Sequence, residues 1–106
     1  MYIVEIVDDA TRYWLSAAID ETGALVVSGH DLSKNLEELL GTDEYEYWYT
    51  VAAADVPRVC AALLATPANL LQELKDLLSP FGISASTEWR DWLTRRGIPF
   101  QFANWR

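Results

Sequence analysis

The first half of the chain alternates between apolar and polar positions with a period of two, which is the pattern of half-buried β-strands. This alternation predicts strands over residues 2–7, 13–19, 24–28 and 44–52. Short polar segments rich in turn-forming residues separate the first three of these strands. Such short connections favour an antiparallel meander, because parallel strands need much longer crossovers.

After Asp55 the apolar spacing changes to about 3.6 residues, which predicts helices in the second half of the chain. Three apolar stripes mark these helices: Val56, Val59, Cys60, Leu63 and Leu64; then Leu70, Leu71, Leu74, Leu77 and Leu78; then Trp89, Trp92 and Leu93. Thr66 is expected to cap the second helix and Ser86 the third. Gly97 suits the end of the third helix, because glycine readily adopts a left-handed backbone.

A further short helix, which Ser33 is expected to cap and Gly41 to end, is predicted over residues 34–40, and a last strand over residues 98–105. The order of strands, then helices, then a strand indicates an α+β fold. We expect a mainly antiparallel sheet of about five strands with three to four helices packed on one face. The length of 106 residues and the hydrophobic content of 51% predict a single α+β domain, residues 1–106, with its own core.

The charge of the chain is divided unevenly between its two halves. Residues 1–56 hold 12 acidic and 2 basic side chains, whereas residues 57–106 hold 4 acidic and 6 basic ones. An acidic field of this kind steers basic partners towards the protein and repels nucleic acid. The alternative explanation is that the acidity only keeps a small protein soluble.

The cysteine content and the apolar runs indicate the compartment. Cys60 is the only cysteine, so an internal disulfide and a structural zinc site are both excluded, and Cys60 is expected to be a small core side chain. The chain begins without the pattern of a secretory signal, and no apolar run reaches the roughly 20 residues that span a membrane. We therefore expect a cytoplasmic protein that has no membrane association and needs no cofactor.

The residues that could carry catalysis or bind a metal are few. His30 is the only histidine, and its neighbour Asp31 points to the opposite face of a strand, so the two form no catalytic dyad. We expect His30 to be a surface or loop-capping residue. Asp8 and Asp9 could join Asp31 or Asp43 in a cation site, but acidic pairs in turns are common without a metal. The sequence has no phosphate-binding glycine loop, nucleophile elbow or zinc-protease helix, so we expect neither enzymatic activity nor a metal site. Two of the 16 acids could still converge in space as the carboxylate pair of a glycosidase.

The strand over residues 44–52 is the best candidate for a binding surface. Its period of two places Glu44, Glu46 and Trp48 on one face, and a row of tyrosines on the other. Tryptophan is a favoured anchor in protein interfaces, and carboxylates bind the arginine and lysine side chains of a partner. Because helices cover only one sheet face, we expect the acidic face to be the outer one, with Asp43 and Glu38 widening it.

Short segments between residues 43 and 105 carry a family resemblance: residues 44–51, Asp55-Val56-Pro57-Arg58, Trp92-Leu93 and Gly97-Ile98-Pro99. In these segments the chain resembles small uncharacterised bacterial proteins, often actinobacterial, and it is similar in style to the immunity proteins of polymorphic toxin systems. Those proteins are single acidic α+β domains that bind and block a cognate toxin. The resemblance implies a protein-binding role without catalysis, and it assigns no toxin-contact residue.

The favoured hypothesis is therefore a non-catalytic inhibitor, of the immunity or antitoxin kind, that blocks a basic toxin such as a nuclease. The acidic strand face would imitate the charge of the toxin's substrate. One alternative is a homodimeric structural or regulatory module that pairs through the edge of its last strand. Another is a small ligand-binding or hydrolase domain with a pocket lined by tyrosine and tryptophan.

Overall fold

The computed structural model describes residues 1–7, 11–33 and 44–105, with the backbone alone at Ser33. Five strands form one antiparallel sheet in sequence order. They are β1 (Tyr2–Val7), β2 (Thr11–Ile19), β3 (Leu25–Ser33), β4 (Glu44–Val51) and β5 (Gln101–Trp105). The predicted α+β class and the five-stranded antiparallel sheet are therefore confirmed.

The turn between β2 and β3 is held by the carboxylate of Asp20. One of its oxygens accepts hydrogen bonds from the backbone N–H groups of Thr22, at 2.8 Å, and Ala24, at 3.1 Å. The hydroxyl of Thr22 also donates to this carboxylate and is the largest cause that lowers the pKa of Asp20. This turn sets an unbroken register along the two strands, which places Trp14 opposite His30.

Three α-helices lie between β4 and β5 in the chain: α1 (Val56–Leu63), α2 (Leu70–Leu78) and α3 (Ala85–Arg95). Their apolar stripes share one core with alternate residues of the sheet; its fully buried members include Leu15, Leu25, Val51, Val59, Leu74, Trp89 and Leu93. We call the sheet face in this core the inner face. Every side chain that points to the opposite, outer face keeps part of its surface in solvent. None of the described helices has the length and apolar content needed to span a membrane.

The end of α3 follows the prediction. Gly97, two residues after the last residue of α3, has a φ of +64°, and the N–H of Ile98 donates to the carbonyl of Leu93 at 3.0 Å. Arg96 donates to the carbonyl of Trp92 at 3.2 Å, and its guanidinium lies 4.1 Å from the centre of the Trp92 ring. Arg96 therefore stabilises this helix end by binding a carbonyl of its last turn.

Three predicted strand limits were wrong by two residues or more. β2 begins at Thr11 instead of residue 13, because Thr11 and Arg12 already pair with β3. β3 continues to Ser33 instead of ending at residue 28, because its second half pairs with β2 on one side and β4 on the other. β5 begins at Gln101 instead of residue 98, because Ile98 completes the end of α3 and Pro99 has no N–H for pairing.

Two predicted helix starts were also wrong, and one predicted helix falls outside the described residues. α2 begins at Leu70, after a turn in which the side chain of Asn69 accepts the N–H of Thr66 at 2.7 Å. α3 begins at Ala85, so Ser86 lies inside the first turn and does not cap it. Ser33, the expected cap of the helix predicted over residues 34–40, is instead the last residue of β3. The predicted helix itself lies outside the described residues.

Leu64 is a further correction, because it does not belong to the buried stripe of α1. It follows the last residue of the helix with a left-handed backbone (φ 55°, ψ 38°), and its side chain is 94% exposed. The left-handed conformation turns the chain, so the helical spacing that predicted burial no longer applies at this position. A side chain with a Cβ atom is disfavoured there.

Replacing Leu64 with glycine is expected to stabilise the protein by about 0.5–1 kcal/mol, because glycine adopts this conformation without strain and little buried surface is lost. Thermal and urea unfolding of the variant measure the change. Ala62→Gly, inside α1, is the matched control and should instead destabilise by about 1 kcal/mol. Destabilisation of similar size by both substitutions would show that Leu64 is not strained.

Candidate interaction surface on the outer sheet face

Strand β4 presents two chemically different rows of side chains. Tyr47 and Tyr49 belong to the inner face and are buried in the core. Glu44, Glu46 and Trp48 belong to the outer face and are half-buried. This is the orientation that the sequence analysis favoured, because the helices cover the tyrosine row.

Gly29 on β3 allows the tyrosine row to pack inward. It lies opposite Tyr47, and the ring of Tyr47 occupies the space that a side chain at Gly29 would need. Burial raises the pKa of Tyr47 well above its usual value, and a side-chain hydrogen bond with Ser86 opposes part of this rise. Strand β4 is thereby held with its polar row outward.

The sheet register brings residues from five strands together on the outer face. In one row of this face, each residue lies opposite the next on the neighbouring strand, from β2 to β5: Trp14, His30, Glu46 and Trp105. The neighbouring row crosses all five strands and consists of Tyr2, Ser16, Ser28, Trp48 and Ala103. Aromatic rings therefore stand on either side of small polar residues at the centre of this face.

His30 lies between the two glutamates of the binding prediction. Its Nε2 makes a hydrogen bond of 2.9 Å with Oε1 of Glu44. Its Nδ1 lies 3.7 Å from Oε1 of Glu46, a distance too long for a hydrogen bond. The ring of Trp14 lies 5.4 Å from that of His30, at an interplanar angle of 54°. His30 therefore links the acidic row of β4 to the aromatic residue on β2.

An open groove of about 380 Å³ runs over the middle of the outer face. It is lined by small residues and by larger aromatic or polar ones: Ser16, Ser28 and Gly29, then Tyr2, Trp14, His30, Glu46 and Trp48. The volume falls within the range of sites that bind small ligands. The groove thus joins aromatic surface, hydroxyl groups and one carboxylate.

The one trio of possible metal ligands in the described ranges is His30, Glu44 and Glu46, whose ligand atoms lie within 4.8 Å of one another. A nitrogen and carboxylate oxygens suit a divalent transition metal. In the structure the trio is already joined by the His30–Glu44 hydrogen bond. The cation site weighed in the sequence analysis has a different composition: Asp31 belongs to the inner row of β3, away from this trio, and residues 8, 9 and 43 are not described.

A second, smaller cavity lies on the inner side of the sheet. Its volume is about 270 Å³, and its lining includes Tyr13, Asp31, Tyr47 and Ser86. Burial raises the pKa of Asp31, with His30 opposing the rise. The hydroxyl of Tyr13 is buried without a hydrogen-bond partner among the described residues, and its closeness adds to the rise that burial causes in the pKa of Tyr47. Neither a histidine nor a cysteine is among the described residues that line this cavity.

The structure brings three of the five predicted binding residues together: Glu44, Glu46 and Trp48 share the outer face of β4. Glu38 and Asp43 lie outside the described residues. Sequence reasoning missed Trp14, and it expected His30 to be a surface or loop-capping residue with no role in binding. The period of two in β2 could have identified Trp14 as an outward residue, but only the register shows what it faces.

No family model, curated protein or solved structure matches this chain. The resemblance to immunity proteins therefore stays an expectation that rests on short segments of sequence. The outer face, with its acidic row and its aromatic groove, is the feature from which a function is inferred.

Proposed function

We propose that this chain is a non-catalytic, cytoplasmic inhibitor of the immunity or antitoxin kind, which binds a basic partner protein through the outer face of its sheet. The observation that supports this proposal is that Glu44, Glu46 and Trp48 lie together on the face that the helices leave uncovered. A nuclease toxin is a suitable partner, because its active-site cleft must be basic to hold phosphates. The acidic face would fill such a cleft and keep the substrate out.

The distribution of charge over the described elements supports the same face. Helices α1, α2 and α3 together carry four acidic and four basic side chains, so the helical side is balanced. Among the described residues, the outer face carries Glu5, Glu44 and Glu46 against one basic side chain, that of Arg12. A basic protein is therefore drawn to the sheet side, and association steered in this way can reach about 10⁸–10⁹ M⁻¹s⁻¹ at low salt.

Reversing the charge of both β4 glutamates tests this proposal. Glu44→Lys with Glu46→Lys is expected to slow association with the partner at least tenfold and to flatten its dependence on salt, because steering charges act mainly on the association rate. The partner is first captured from a lysate of the source cells with the tagged chain, then purified. Stopped-flow association rates at low and high salt give the result.

The matched control is Glu73→Lys with Asp76→Lys, on α2. It changes the net charge by the same amount on the helical side, and we expect its association rate to stay within about twofold of the wild-type rate. Circular dichroism and thermal unfolding establish that both double variants are folded. Equal slowing by both would mean that only net charge matters, and no slowing by either would exclude the outer face as the binding surface.

Strand β5 supports a second candidate function, which is a homodimeric interaction module. β5 forms an edge of the described sheet, all five of its residues are exposed, and they include Phe102 and Trp105. Such an edge can pair with the same edge of a second copy. Sedimentation equilibrium of the wild type and of Phe102→Lys distinguishes the candidates, since a dimer formed through β5 would dissociate in the variant.

A further inference from the structure

We propose that the groove between Trp14 and Trp48 binds the guanidinium group of an arginine side chain. This inference rests on the proposed function, since the arginine would belong to the basic partner, but it names the chemistry that the groove recognises. It follows from three features of the groove, which are its aromatic walls, its available carboxylate and its floor of small residues.

The walls of the groove suit a flat cation. Trp14 and His30 stand side by side with ring centres 5.4 Å apart, and Trp48 lines the groove with them. A guanidinium group is planar and weakly hydrated, so it stacks on indole rings and is attracted by their π-electrons. The ammonium group of lysine is compact and strongly hydrated, and it gains less from such walls.

Glu46 supplies the negative charge at the groove. The two glutamates near His30 differ in their contact with its ring. Glu44 makes a hydrogen bond with His30 Nε2, whereas Glu46 lies 3.7 Å from Nδ1. Glu46 therefore keeps acceptor capacity for a ligand, and a carboxylate binds a guanidinium group through two parallel hydrogen bonds. Arg12, the basic residue that the described strands place on the outer face, lies opposite Leu32 and is not among the residues that line the groove.

The small residues on the floor of the groove leave space for a guanidinium group and offer it further hydrogen-bond acceptors. Ser16 and Ser28 lie opposite each other on β2 and β3, and both line the groove. Larger side chains at these two positions would fill it. Hydroxyl oxygens accept hydrogen bonds, and arginine has five N–H donors to distribute between them and Glu46. Lysine has three donors that radiate from one point, which matches this spread of acceptors less well.

The test uses small probes, so it needs no knowledge of the partner. N-acetyl-arginine methylamide is titrated into ¹⁵N-labelled protein, and the indole N–H signals of the five tryptophans are followed by NMR. We expect a dissociation constant on the order of 1 mM, with shifts of the Trp14 and Trp48 signals. The citrulline and lysine analogues of the probe are expected to bind at least fivefold more weakly. EDTA in all samples prevents a metal at His30 from contributing.

Variants locate the binding within the groove. Glu46→Gln is expected to weaken the arginine probe about tenfold, while Glu73→Gln, which removes the same charge from α2 on the helical side, should change the dissociation constant less than twofold. Trp48→Leu should weaken it several-fold. Equal binding of the citrulline or lysine probe would overturn the guanidinium proposal. So would equal effects of the two glutamine variants.

The two proposals can fail separately. The guanidinium proposal would be overturned, and the inhibitor proposal left intact, if the Glu44/Glu46 charge reversal lost association with the partner but the arginine probe did not bind. Arginine-selective binding that Glu46→Gln abolishes, together with unchanged partner association in the charge reversal, would support the groove and overturn the inhibitor proposal.

Discussion

Replacing Trp89 with alanine is expected to lower the free energy of unfolding by about 3–5 kcal/mol, the largest effect of any substitution considered. Trp89 on α3 is fully buried, and its ring stacks on Trp92 with centres 5.3 Å apart at an angle of 19°. Its removal leaves a cavity where the helix meets the sheet. Because small domains are stable by only about 5–15 kcal/mol, a large part of this reserve would be lost. Urea unfolding followed by circular dichroism measures the change.

Two control substitutions separate burial from ring chemistry. Trp105→Ala removes the same side chain from β5, where it is 55% exposed, and should cost less than about 1 kcal/mol. Trp89→Phe should cost much less than Trp89→Ala, because the buried Nε1 of Trp89 has no hydrogen-bond partner among the described residues. Similar losses for Trp89→Ala and Trp105→Ala would contradict the position of Trp89 at the centre of the core.

The second large effect is expected at Gly29. Gly29→Ala should destabilise the protein by about 1–3 kcal/mol, because the added methyl group would overlap the ring of Tyr47, which is buried and cannot move freely. The displacement of Tyr47 would disturb the pairing of β3 with β4, and with it the alignment of His30 with Glu46 on the outer face. Thermal unfolding measures the loss, and the chemical shift of the Trp48 indole reports the change at the surface.

A double-mutant cycle shows whether the Tyr47 ring is the cause. In a Tyr47→Leu background the end of the ring is gone, so Gly29→Ala should no longer destabilise. It could even add about 0.5–1 kcal/mol of stability, because alanine loses less conformational entropy in a strand than glycine. If Gly29→Ala destabilised both backgrounds equally, the overlap with Tyr47 would not explain the requirement for glycine.

The structure shows how far hydrophobic patterning carries and where it fails. The stripe of α2 and the alternation of β4 were read correctly, because both depend on spacing within one element. The end of α1 at Leu63 and the start of β5 at Gln101 were not, because they depend on local geometry. At Leu64 the left-handed backbone interrupts the spacing, and at Pro99 the missing N–H delays pairing.

The binding surface shows the same division. Glu44, Glu46 and Trp48 could be placed on one face from sequence, since they are two residues apart on one strand. Trp14 and His30 could not be connected with them, because they lie on separate strands, and the distance between strands depends on pairing register. The sequence also did not show that Gly29 makes space for Tyr47.

By itself, then, the sequence determined the α+β class, the antiparallel meander, the acidic first half and the two unlike faces of β4, because each of these depends on local periodicity or composition. Only the tertiary structure decided that the helices bury the tyrosine row and leave the acidic row outward. It alone aligned Trp14, His30 and Glu46 around one groove. The physical reason is that the register of each strand pair is set by the burial of one whole face, to which every strand and helix contributes.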